Sequence, residues 1–407
     1  MEKIYKSKRL ENVNYAIRGK VMEEAKKLEE QGINVLKLNI GNPATYNFSA
    51  PCDILNYMKT NLEYNQGYSD SKGLESARNA IVEYYKTKNI NNLSSNDIYI
   101  GNGVSELILM SMQALLNEGD EILVPSPDYP LWTASINLSG GKAIHYNCDE
   151  ENKWNPNIQD IKNKITNKTK GIIIINPNNP TGALYPKKIL EKIVEIAQNN
   201  NLIIFSDEIY DRLVYDDLKH ISIASIAKDV PVFTFSGLSK SHMVAGFRIG
   251  WMCITGNKNH INDYISGLNL LSSMRLCSNV PGQSIIEKAL KNDINTKKLL
   301  KKGGRLYEQR EYVYNKLKQN PCISVVKPKA AFYIFPKIDT KKFNIVDDEK
   351  FALDFLDKKH VLIVHGTGFN WNNIDHFRIV YLADNKVMEQ ALNNLQDFLK
   401  NYKQKLN

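Results

Sequence analysis

The sequence predicts an α/β protein: a large three-layer domain with a mostly parallel sheet, accompanied by a smaller α+β domain. Two observations lead to this prediction. Short apolar runs alternate with helical patterns through the middle of the chain, which is typical of strands joined by helices. Residues 171–175 are a glycine followed by four isoleucines, which is the pattern of a strand covered on both faces.

The elements of the large domain are predicted from residue 104 onward. In chain order they are a helix at 104–116, strands at 121–124 and 171–175, a helix at 186–199, and strands at 202–206, 232–235 and 249–254. Strands separated by helices favour a parallel sheet, because each helix returns the chain to the end of the sheet where the next strand begins.

The last hundred residues have a different pattern, in which short strands are mixed with two helices. The predicted strands are 323–326, 333–335, 361–364 and 377–381, and the predicted helices are 347–358 and 386–402. The first 45 residues hold a helix at 19–31 and a strand at 35–40, and we expect them to join this part. The predicted division is 46–299 for the large domain, and 1–45 with 300–407 for an N-terminal arm plus the small domain.

Composition disfavours several classes of protein. Hydrophobic residues make up 43% and charged residues 24% of the 407 residues, which is an ordinary globular balance. The N-terminus shows no secretory signal and the longest apolar run is too short to span a bilayer, so we expect a cytoplasmic protein without membrane contact. The formal charge of +9 comes from basic residues interleaved with acids, which favours a solvated surface over nucleic-acid binding.

The five cysteines indicate reduced thiols rather than a metal site. They lie far apart, with no Cys-x-x-Cys pair and no Cys/His cluster at zinc spacing. We therefore expect no disulfide framework and no bound metal.

Polar residues follow several predicted strands, where ligands bind in open α/β sheets. Residues 101–105, Gly-Asn-Gly-Val-Ser, precede a helix whose first N–H groups could bind an anion, although such a segment is often only a turn. Residues 176–182, Asn-Pro-Asn-Asn-Pro-Thr-Gly, form a constrained loop that presents asparagine amides directly after a buried strand.

Charged residues mark further strand ends. Asp207 ends an apolar strand, so its carboxylate needs a compensating partner, which could be a salt bridge or a metal, and Tyr210 could reach the same pocket. Lys240 follows another apolar strand, and loss of solvation there would favour its neutral, nucleophilic amine. Arg248 lies between two glycines and suits phosphate, whereas Arg378 in a late apolar strand requires an anionic partner or a structural ion pair.

Together and in this order, these motifs resemble those of the class I and II aminotransferases of pyridoxal-phosphate fold type I. The matching motifs are Asn-Pro-Thr-Gly at 179–182, Asp-x-x-Tyr at 207–210, Ser-Lys at 239–240 and Gly-x-Arg-x-Gly at 246–250. The resemblance covers almost the whole chain. It implies an enzyme with pyridoxal 5′-phosphate as its cofactor and amino acids and 2-oxo acids as its substrates.

The resemblance also implies a role for each matching residue at the reacting end of the cofactor. Lys240 matches the lysine that holds the cofactor as a Schiff base and later moves a proton. Asp207 matches the acid that faces the pyridine nitrogen. Tyr210 and Asn179 match the pair that bonds the phenolic oxygen, and Tyr129 matches the aromatic residue stacked on the ring.

Binding of the phosphate and the substrate is implied in the same way. The phosphate cradle would comprise Gly103, Val104, Ser105, Ser239 and Arg248. Tyr68 resembles a tyrosine that reaches the phosphate of the neighbouring subunit, which implies a homodimer with shared active sites. The substrate would meet Gly41, Asn179, Arg378, Tyr15 and Arg18. One position departs from the pattern: many relatives have serine where this chain has Gly237, so that phosphate contact is either missing or supplied by Ser236 or Ser239.

A finer resemblance points to bacterial glutamate–pyruvate (alanine) aminotransferases. It rests on residues 39–43, 99–105, 127–132 and 273–277. The implied reaction is L-alanine + 2-oxoglutarate ⇌ pyruvate + L-glutamate, by a ping-pong mechanism with two half-reactions. The second carboxylate of glutamate would need a cation, for which Arg18 and Arg275 are candidates, although either could equally be a surface or structural arginine.

Other functions on the same scaffold remain open from the sequence. An aminotransferase of broader, aromatic or aspartate specificity is the first alternative, and a pyridoxal-phosphate C–S lyase is the second. The motifs define the cofactor site better than they define which bond of the substrate is broken.

Overall fold

A mixed eight-stranded sheet lies at the centre of the computed structural model, which describes residues 3–11, 13, 15–291 and 294–405. The strands of the described chain are β1 (Leu36–Lys37), β2 (Ile98–Asn102), β3 (Glu121–Ser126), β4 (Lys142–Asp149), β5 (Asn155–Pro156), β6 (Thr169–Ile175), β7 (Ile203–Asp207), β8 (Val232–Gly237), β9 (Ile249–Thr255), β10 (Ile323–Ser324), β11 (Tyr333–Ile334), β12 (Lys337–Ile338), β13 (Val361–Leu362), β14 (Val364–His365) and β15 (Phe377–Val380).

Helices cover both faces of this sheet and build the remainder of the fold. They are α1 (Lys20–Glu30), α2 (Cys52–Asn61), α3 (Glu75–Lys86), α4 (Val104–Leu115), α5 (Leu131–Leu138), α6 (Ile158–Lys164), α7 (Lys187–Asn199), α8 (Asn262–Met274), α9 (Val280–Ser284), α10 (Ile286–Leu290), α11 (Ile294–Leu300), α12 (Arg305–Lys318), α13 (Thr340–Phe343), α14 (Asp348–Lys359) and α15 (Asn385–Asn401). None of the helices in the described ranges is long and apolar enough to cross a membrane.

The strand order of the large sheet is β2-β9-β8-β7-β6-β3-β4-β5. Strands β8, β7, β6, β3 and β4 are mutually parallel, β9 is antiparallel to both β8 and β2, and β5 is antiparallel to β4. The predicted mostly parallel, three-layer α/β sheet is therefore confirmed. Because β6, β7 and β8 are adjacent and parallel, the polar residues that follow them meet at one edge of the sheet.

The four isoleucines of β6 show why this strand lies at the centre. Ile172 and Ile174 pack into one hydrophobic cluster, and Ile173 and Ile175 pack into a second cluster on the opposite face. All four side chains are buried. Since successive side chains of a strand point to opposite faces, an unbroken apolar run is what a strand between two helical layers requires.

The N-terminal segment packs with the C-terminal part of the chain. Strand β1 pairs in parallel with β13, and β11, β15 and β14 form a separate three-stranded antiparallel sheet. One hydrophobic cluster joins residues from α1, α12, α14 and α15. The division of the chain into 46–299 and 1–45 with 300–407 stays a prediction.

The structure contains elements that were not predicted, including the helices α3, α8 and α12, and it differs from the predicted elements at several further places. Strands β2 and β4 were not predicted, because Gly101 and Asn102 end the first and polar residues such as His145 and Asn147 interrupt the second. The predicted strand at 361–364 is two short strands, β13 and β14, which pair with different partners. Most other boundaries differ by one or two residues, but several short strands, such as β1 against the predicted 35–40, are shorter than expected.

The departure at Gly237 has a cause in the backbone. Gly237 of β8 lies opposite Gly250 of β9, and a Cβ at Gly237 would lie 2.5 Å from the carbonyl oxygen of Ile249 and 3.0 Å from Cα of Gly250. A side chain at this position would therefore press on the neighbouring strand.

We expect Gly237→Ser to destabilise the fold by about 1–3 kcal/mol, because the added atoms force the two strands apart. The urea midpoint of unfolding measures this effect, with Gly67→Ala as the control, since nothing lies within 4 Å of a Cβ built on Gly67. An unchanged midpoint for Gly237→Ser would contradict the close approach of β8 and β9.

Candidate active site

A cavity of about 610 Å³ opens beyond the carboxyl ends of β6, β7 and β8, where the large sheet meets β11 and β15. Most residues that the sequence assigned to the site line this cavity. They are Tyr15, Arg18, Gly41, Val104, Ser105, Tyr129, Asn179, Asp207, Tyr210, Ser239, Lys240, Arg248 and Arg378. Residues from far apart in the chain are thus brought to one place, as expected for an open α/β sheet.

Lys240 follows β8 and projects its amine into the cavity. Its Nζ donates a hydrogen bond to the carbonyl oxygen of Gly41 at 2.8 Å. Burial lowers the pKa of Lys240 to about 8, helped by the nearby guanidinium groups of Arg378 and Arg248 and opposed by Asp207. A substantial fraction of this amine is therefore neutral near physiological pH, which is the form that attacks a carbonyl carbon.

Asp207 is the last residue of β7, and it is 3% exposed. Its Oδ2 accepts a hydrogen bond from Nε1 of Trp132 at 3.1 Å, and its Oδ1 accepts one from the backbone N–H of Ile209 at 3.3 Å. Burial raises the pKa of Asp207 to about 6, while these hydrogen bonds and Lys240 act in the opposite direction. The group is a carboxylate at neutral pH and is suited to a cationic partner.

A metal is not supported as the partner of Asp207. No group of three or more His, Cys, Asp or Glu residues in the described part of the chain could hold a metal ion. The two hydrogen bonds to Asp207 leave its carboxylate facing the cavity that also contains Lys240.

Arg378 is a buried cation on β15, 2% exposed. Its Nη1 donates to Oδ1 of Asn179 at 2.9 Å, and its Nη2 donates to the carbonyl oxygen of Asn39. The guanidinium lies between the rings of Tyr333 and Phe369, at 4.6 and 4.5 Å from their centroids. Within the described residues its Nε has no hydrogen-bond partner, and no carboxylate forms an ion pair with it. This arrangement is suited to binding an anion from the cavity.

A second cationic region lies where α4 begins. Val104 and Ser105 start this helix and line the cavity, so the first N–H groups of α4 are directed toward it. Gly103 precedes them with φ +79°, and a Cβ there would lie 2.2 Å from Nη2 of Arg248. Gly103 therefore allows the Arg248 guanidinium to approach the helix start. Arg248 itself donates to the carbonyl oxygens of Ala245 (2.8 Å) and Asn102 (3.3 Å).

The structure separates the two serines considered beside Gly237. Ser239 lines the cavity. Ser236 is buried, and its Oγ lies 3.5 Å from the carbonyl oxygen of Glu208, outside the cavity lining. Of the two, Ser239 is the residue that can reach a ligand.

Two sequence candidates lie elsewhere. Tyr68 is 81% exposed and does not line the cavity of this chain. Arg275 also lies outside it: its guanidinium forms an ion pair with Glu106 and donates to the carbonyl oxygens of Ser71 (3.1 Å) and Ile100 (2.7 Å). Those contacts are the structural role that the sequence left open for Arg275, and of the two arginine candidates only Arg18 lines the cavity.

Sequence reasoning missed two aromatic residues and one backbone contact at the site. Tyr333 lines the cavity and shares a hydrogen bond with Tyr210, their hydroxyl oxygens being 2.6 Å apart. Trp132 donates a hydrogen bond to the Asp207 carboxylate, and the carbonyl oxygen of Asn39 accepts a hydrogen bond from Arg378. Trp132 lies in one of the stretches of resemblance, but nothing in the sequence pattern marked Tyr333 as more than a strand residue.

These groups fit pyridoxal 5′-phosphate. The cavity offers an amine of lowered pKa, a buried carboxylate for a protonated ring nitrogen, and a helix start with an arginine for a phosphate. Phenolic and amide side chains complete the set, with Tyr210 and Asn179 on the cavity wall. Fold and site together define a pyridoxal-phosphate-dependent enzyme of fold type I.

Comparison with known proteins identifies the family. The family model described as "Aminotransferase class I and II" matches residues 33–395. The chain is 57% identical over 399 residues to "Glutamate-pyruvate aminotransferase AlaA" of Haemophilus influenzae, with 98% of this chain and 99% of that protein covered. The chain therefore belongs to the class I and II aminotransferases, and its cofactor is pyridoxal 5′-phosphate.

Solved structures agree with this assignment. An aminotransferase from Escherichia coli matches with a TM-score of 0.98 at 56% identity, covering 99% of this chain and 100% of that chain. The structure named "Alanine aminotransferase from Pyrococcus furiosus" matches with a TM-score of 0.92 at 40% identity, covering 97% and 100%. The predicted fold type is confirmed.

The lowered pKa of Lys240 is directly testable in cofactor-free protein. We expect its acetylation by acetic anhydride, followed by mass spectrometry, to have a midpoint near pH 8 instead of the 10.5 of an ordinary lysine. Asp207→Asn should lower the midpoint further, because the Asp207 carboxylate stabilises the protonated amine. A midpoint near 10.5 in both proteins would show that Lys240 is not desolvated.

Proposed function

We propose that this enzyme transfers an amino group between L-alanine/pyruvate and L-glutamate/2-oxoglutarate by a ping-pong mechanism. The proposal is supported by the names of its similar relatives, which include glutamate-pyruvate and alanine aminotransferases. The observation on which it depends most is the buried guanidinium of Arg378 in the same cavity as Lys240 and Asp207. An α-amino acid held there by its carboxylate would present its amino group to the centre of the cavity.

The reacting end of the cofactor would be held by four residues. When bound, pyridoxal phosphate supplies an electron-withdrawing ring that stabilises negative charge at the substrate Cα. The Asp207 carboxylate would keep a proton on the ring nitrogen. Tyr210 would donate its hydroxyl proton to the phenolic oxygen, and Asn179 would donate from Nδ2, because its Oδ1 already accepts from Arg378.

Lys240 would anchor the cofactor and later act as the base. Its burial favours the neutral amine, so the amine could accept a proton from the substrate Cα and deliver it to C4′ of the cofactor. The hydrogen bond to the carbonyl oxygen of Gly41 keeps Nζ on the cavity side of the chain.

The phosphate and the substrate carboxylate would occupy two separate cationic regions of the cavity. Val104, Ser105, Ser239 and Arg248 would bind the phosphate, with Gly103 allowing the close approach of Arg248. Arg378 and the backbone at Gly41 would bind the α-carboxylate. Tyr129 would stack on the ring, and its hydroxyl lies 3.0 Å from that of Tyr15.

We also propose a homodimer in which Tyr68 reaches the active site of the partner subunit. Tyr64, Leu270 and Met274 are large side chains that are 77%, 63% and 71% exposed, and exposed apolar side chains that form a contiguous patch mark interaction surfaces. The hydrogen bond from Oγ of Ser272 to the carbonyl oxygen of Ser71, at 2.7 Å, holds the end of α8 beside the segment after Tyr68. A second copy on this surface would cover these side chains.

The proposed location is the cytoplasm. All five cysteines are free thiols, and two of them, Cys148 and Cys253, are buried. Free thiols are the usual state in a reducing compartment.

Single amino acids test the substrate proposal. We expect alanine and glutamate to remove the visible absorbance of the lysine-bound cofactor, whereas aspartate and aromatic amino acids act slowly, because the similar relatives reported above are named for glutamate, pyruvate and alanine. Lys240→Ala is the control. It should show no visible band, and its rate should fall by about 10²–10⁴-fold, as when a general base is removed.

Other outcomes of this measurement would support the alternative specificities or the C–S lyase. Faster reaction with aspartate or aromatic amino acids would replace the alanine–glutamate assignment by one of those specificities. Release of ammonia and pyruvate from cystathionine without a 2-oxo acid would identify a C–S lyase.

Arg18→Ala tests the binding of the second carboxylate of glutamate. We expect KM for glutamate to rise about 10- to 100-fold while KM for alanine changes little, because one charge-assisted hydrogen bond of about 1.5–3 kcal/mol is lost. Arg275→Ala is the comparison, since that arginine lies outside the cavity. Equal losses for both substrates would remove Arg18 from this role.

A further inference from the structure

Tyr333, at the start of β11, occupies a point where three parts of the active site meet. Its hydroxyl lies 2.6 Å from the hydroxyl of Tyr210, and its ring centroid lies 4.6 Å from the guanidinium carbon of Arg378. A Cβ built on Gly41 would lie 2.3 Å from the Tyr333 hydroxyl, so the backbone that accepts the hydrogen bond of Lys240 is pressed against this side chain. Tyr333 is itself buried.

Both hydroxyls of the Tyr210–Tyr333 pair stay protonated. Burial is the largest cause of a raised pKa for each of them. The ionisable groups that face the pair are Arg378, Asp207 and Tyr15. Two neutral hydroxyls share one hydrogen bond, so one donates and the other accepts.

The direction of that bond follows from the role proposed for Tyr210. If the Tyr210 proton is donated to the phenolic oxygen of the cofactor, the Tyr210 oxygen is left to accept the proton of Tyr333. A donor that is itself an acceptor in a chain of hydrogen bonds becomes a stronger donor, because each bond polarises the next. Tyr333 would then strengthen the bond that Tyr210 makes and fix the orientation of its ring.

The other side of Tyr333 contacts Arg378. The guanidinium is held between the rings of Tyr333 and Phe369, and its two Nη atoms are bonded to Asn179 and Asn39. These four contacts leave Nε without a partner among the described residues. A substrate carboxylate that binds Arg378 would therefore meet a group whose position depends on the Tyr333 ring.

We propose that Tyr333 is a positioning residue that couples carboxylate binding at Arg378 to the hydroxyl of Tyr210. Its ring holds the carboxylate-binding guanidinium, and its hydroxyl donates to Tyr210. The inference rests on the proposed function, because it takes from there the roles of Arg378 and Tyr210.

A pH titration of the visible band of the lysine-bound cofactor tests the hydroxyl. Hydrogen bonds donated to the phenolic oxygen stabilise its deprotonated form, so a weaker bond moves the titration midpoint to higher pH. We expect Tyr333→Phe to raise the midpoint by about 0.3–1 pH unit, and Tyr210→Phe to raise it more. In the Tyr210→Phe background, Tyr333→Phe should have no further effect, because its hydroxyl acts through Tyr210.

Steady-state kinetics test the ring. Tyr333→Phe keeps the ring against Arg378, so KM for alanine should change less than about 2-fold while kcat falls. Tyr333→Leu removes the ring, and KM should rise about 5- to 10-fold, in line with the loss of a buried cation–π contact. A residue that only supported the fold would not divide kcat and KM in this way.

Tyr215→Phe is the matched control. It removes a buried hydroxyl that donates to the carbonyl oxygen of Ala331 at 2.8 Å, in the same hydrophobic cluster as Tyr333 but outside the cavity lining. Its spectral midpoint and KM should equal those of the parent enzyme, even if its thermal stability falls as much as that of Tyr333→Phe.

The results separate two kinds of failure. A parent enzyme without a visible cofactor band would overturn the proposed function, and a Tyr210→Phe midpoint that does not move would overturn only the role proposed for Tyr210; either result would remove this coupling. A normal band whose midpoint moves in Tyr210→Phe but not in Tyr333→Phe would overturn the coupling alone. A shift of equal size in both backgrounds would also overturn it, since Tyr333 would then act by another route.

Discussion

The burial of three charged groups in one cavity is the constraint on which the rest of the structure depends. Burial shifts Asp207 and Lys240 toward their neutral forms, to pKa values of about 6 and 8. The opposite charge of each group partly offsets the effect of burial on the pKa of the other. Trp132 also donates a hydrogen bond to the Asp207 carboxylate. The sheet, its helices and the C-terminal strands together remove these groups from water while keeping them open to a ligand.

The third charge, Arg378, explains why the site needs elements from both ends of the chain. Its guanidinium is held by the carbonyl oxygen of Asn39 and the side chain of Asn179, and β15 is tied to the N-terminal segment by the hydrogen bond from Val380 N to the carbonyl oxygen of Leu38 at 2.9 Å. Lys240 is likewise bonded to Gly41. The segment 38–41 therefore contacts both Lys240 and Arg378, and a change in its position would affect both.

Some parts of the fold could be predicted from the sequence because the local pattern agrees with the environment of the residues in the structure. The isoleucines of β6 are covered on both faces, as their unbroken run predicted. Strand β4 could not be predicted from the sequence, because it lies near the edge of the sheet and its residues are mostly half-buried, so they show no clear apolar pattern. The run at 361–364 predicted one strand, but the chain divides it between β13 and β14, since partner choice depends on residues far away in sequence.

The sequence by itself determined which titratable side chains follow the strands of the large sheet. Asp207 and Lys240 stand directly after apolar runs, and such a position brings a polar side chain to the ligand edge of a sheet whatever the details of packing. Only the tertiary structure decided which arginine, Arg18 or Arg275, lines the cavity, and that Tyr333 bonds Tyr210. These facts depend on contacts between distant segments, whose geometry is set by packing and leaves no periodic or compositional signal in the chain.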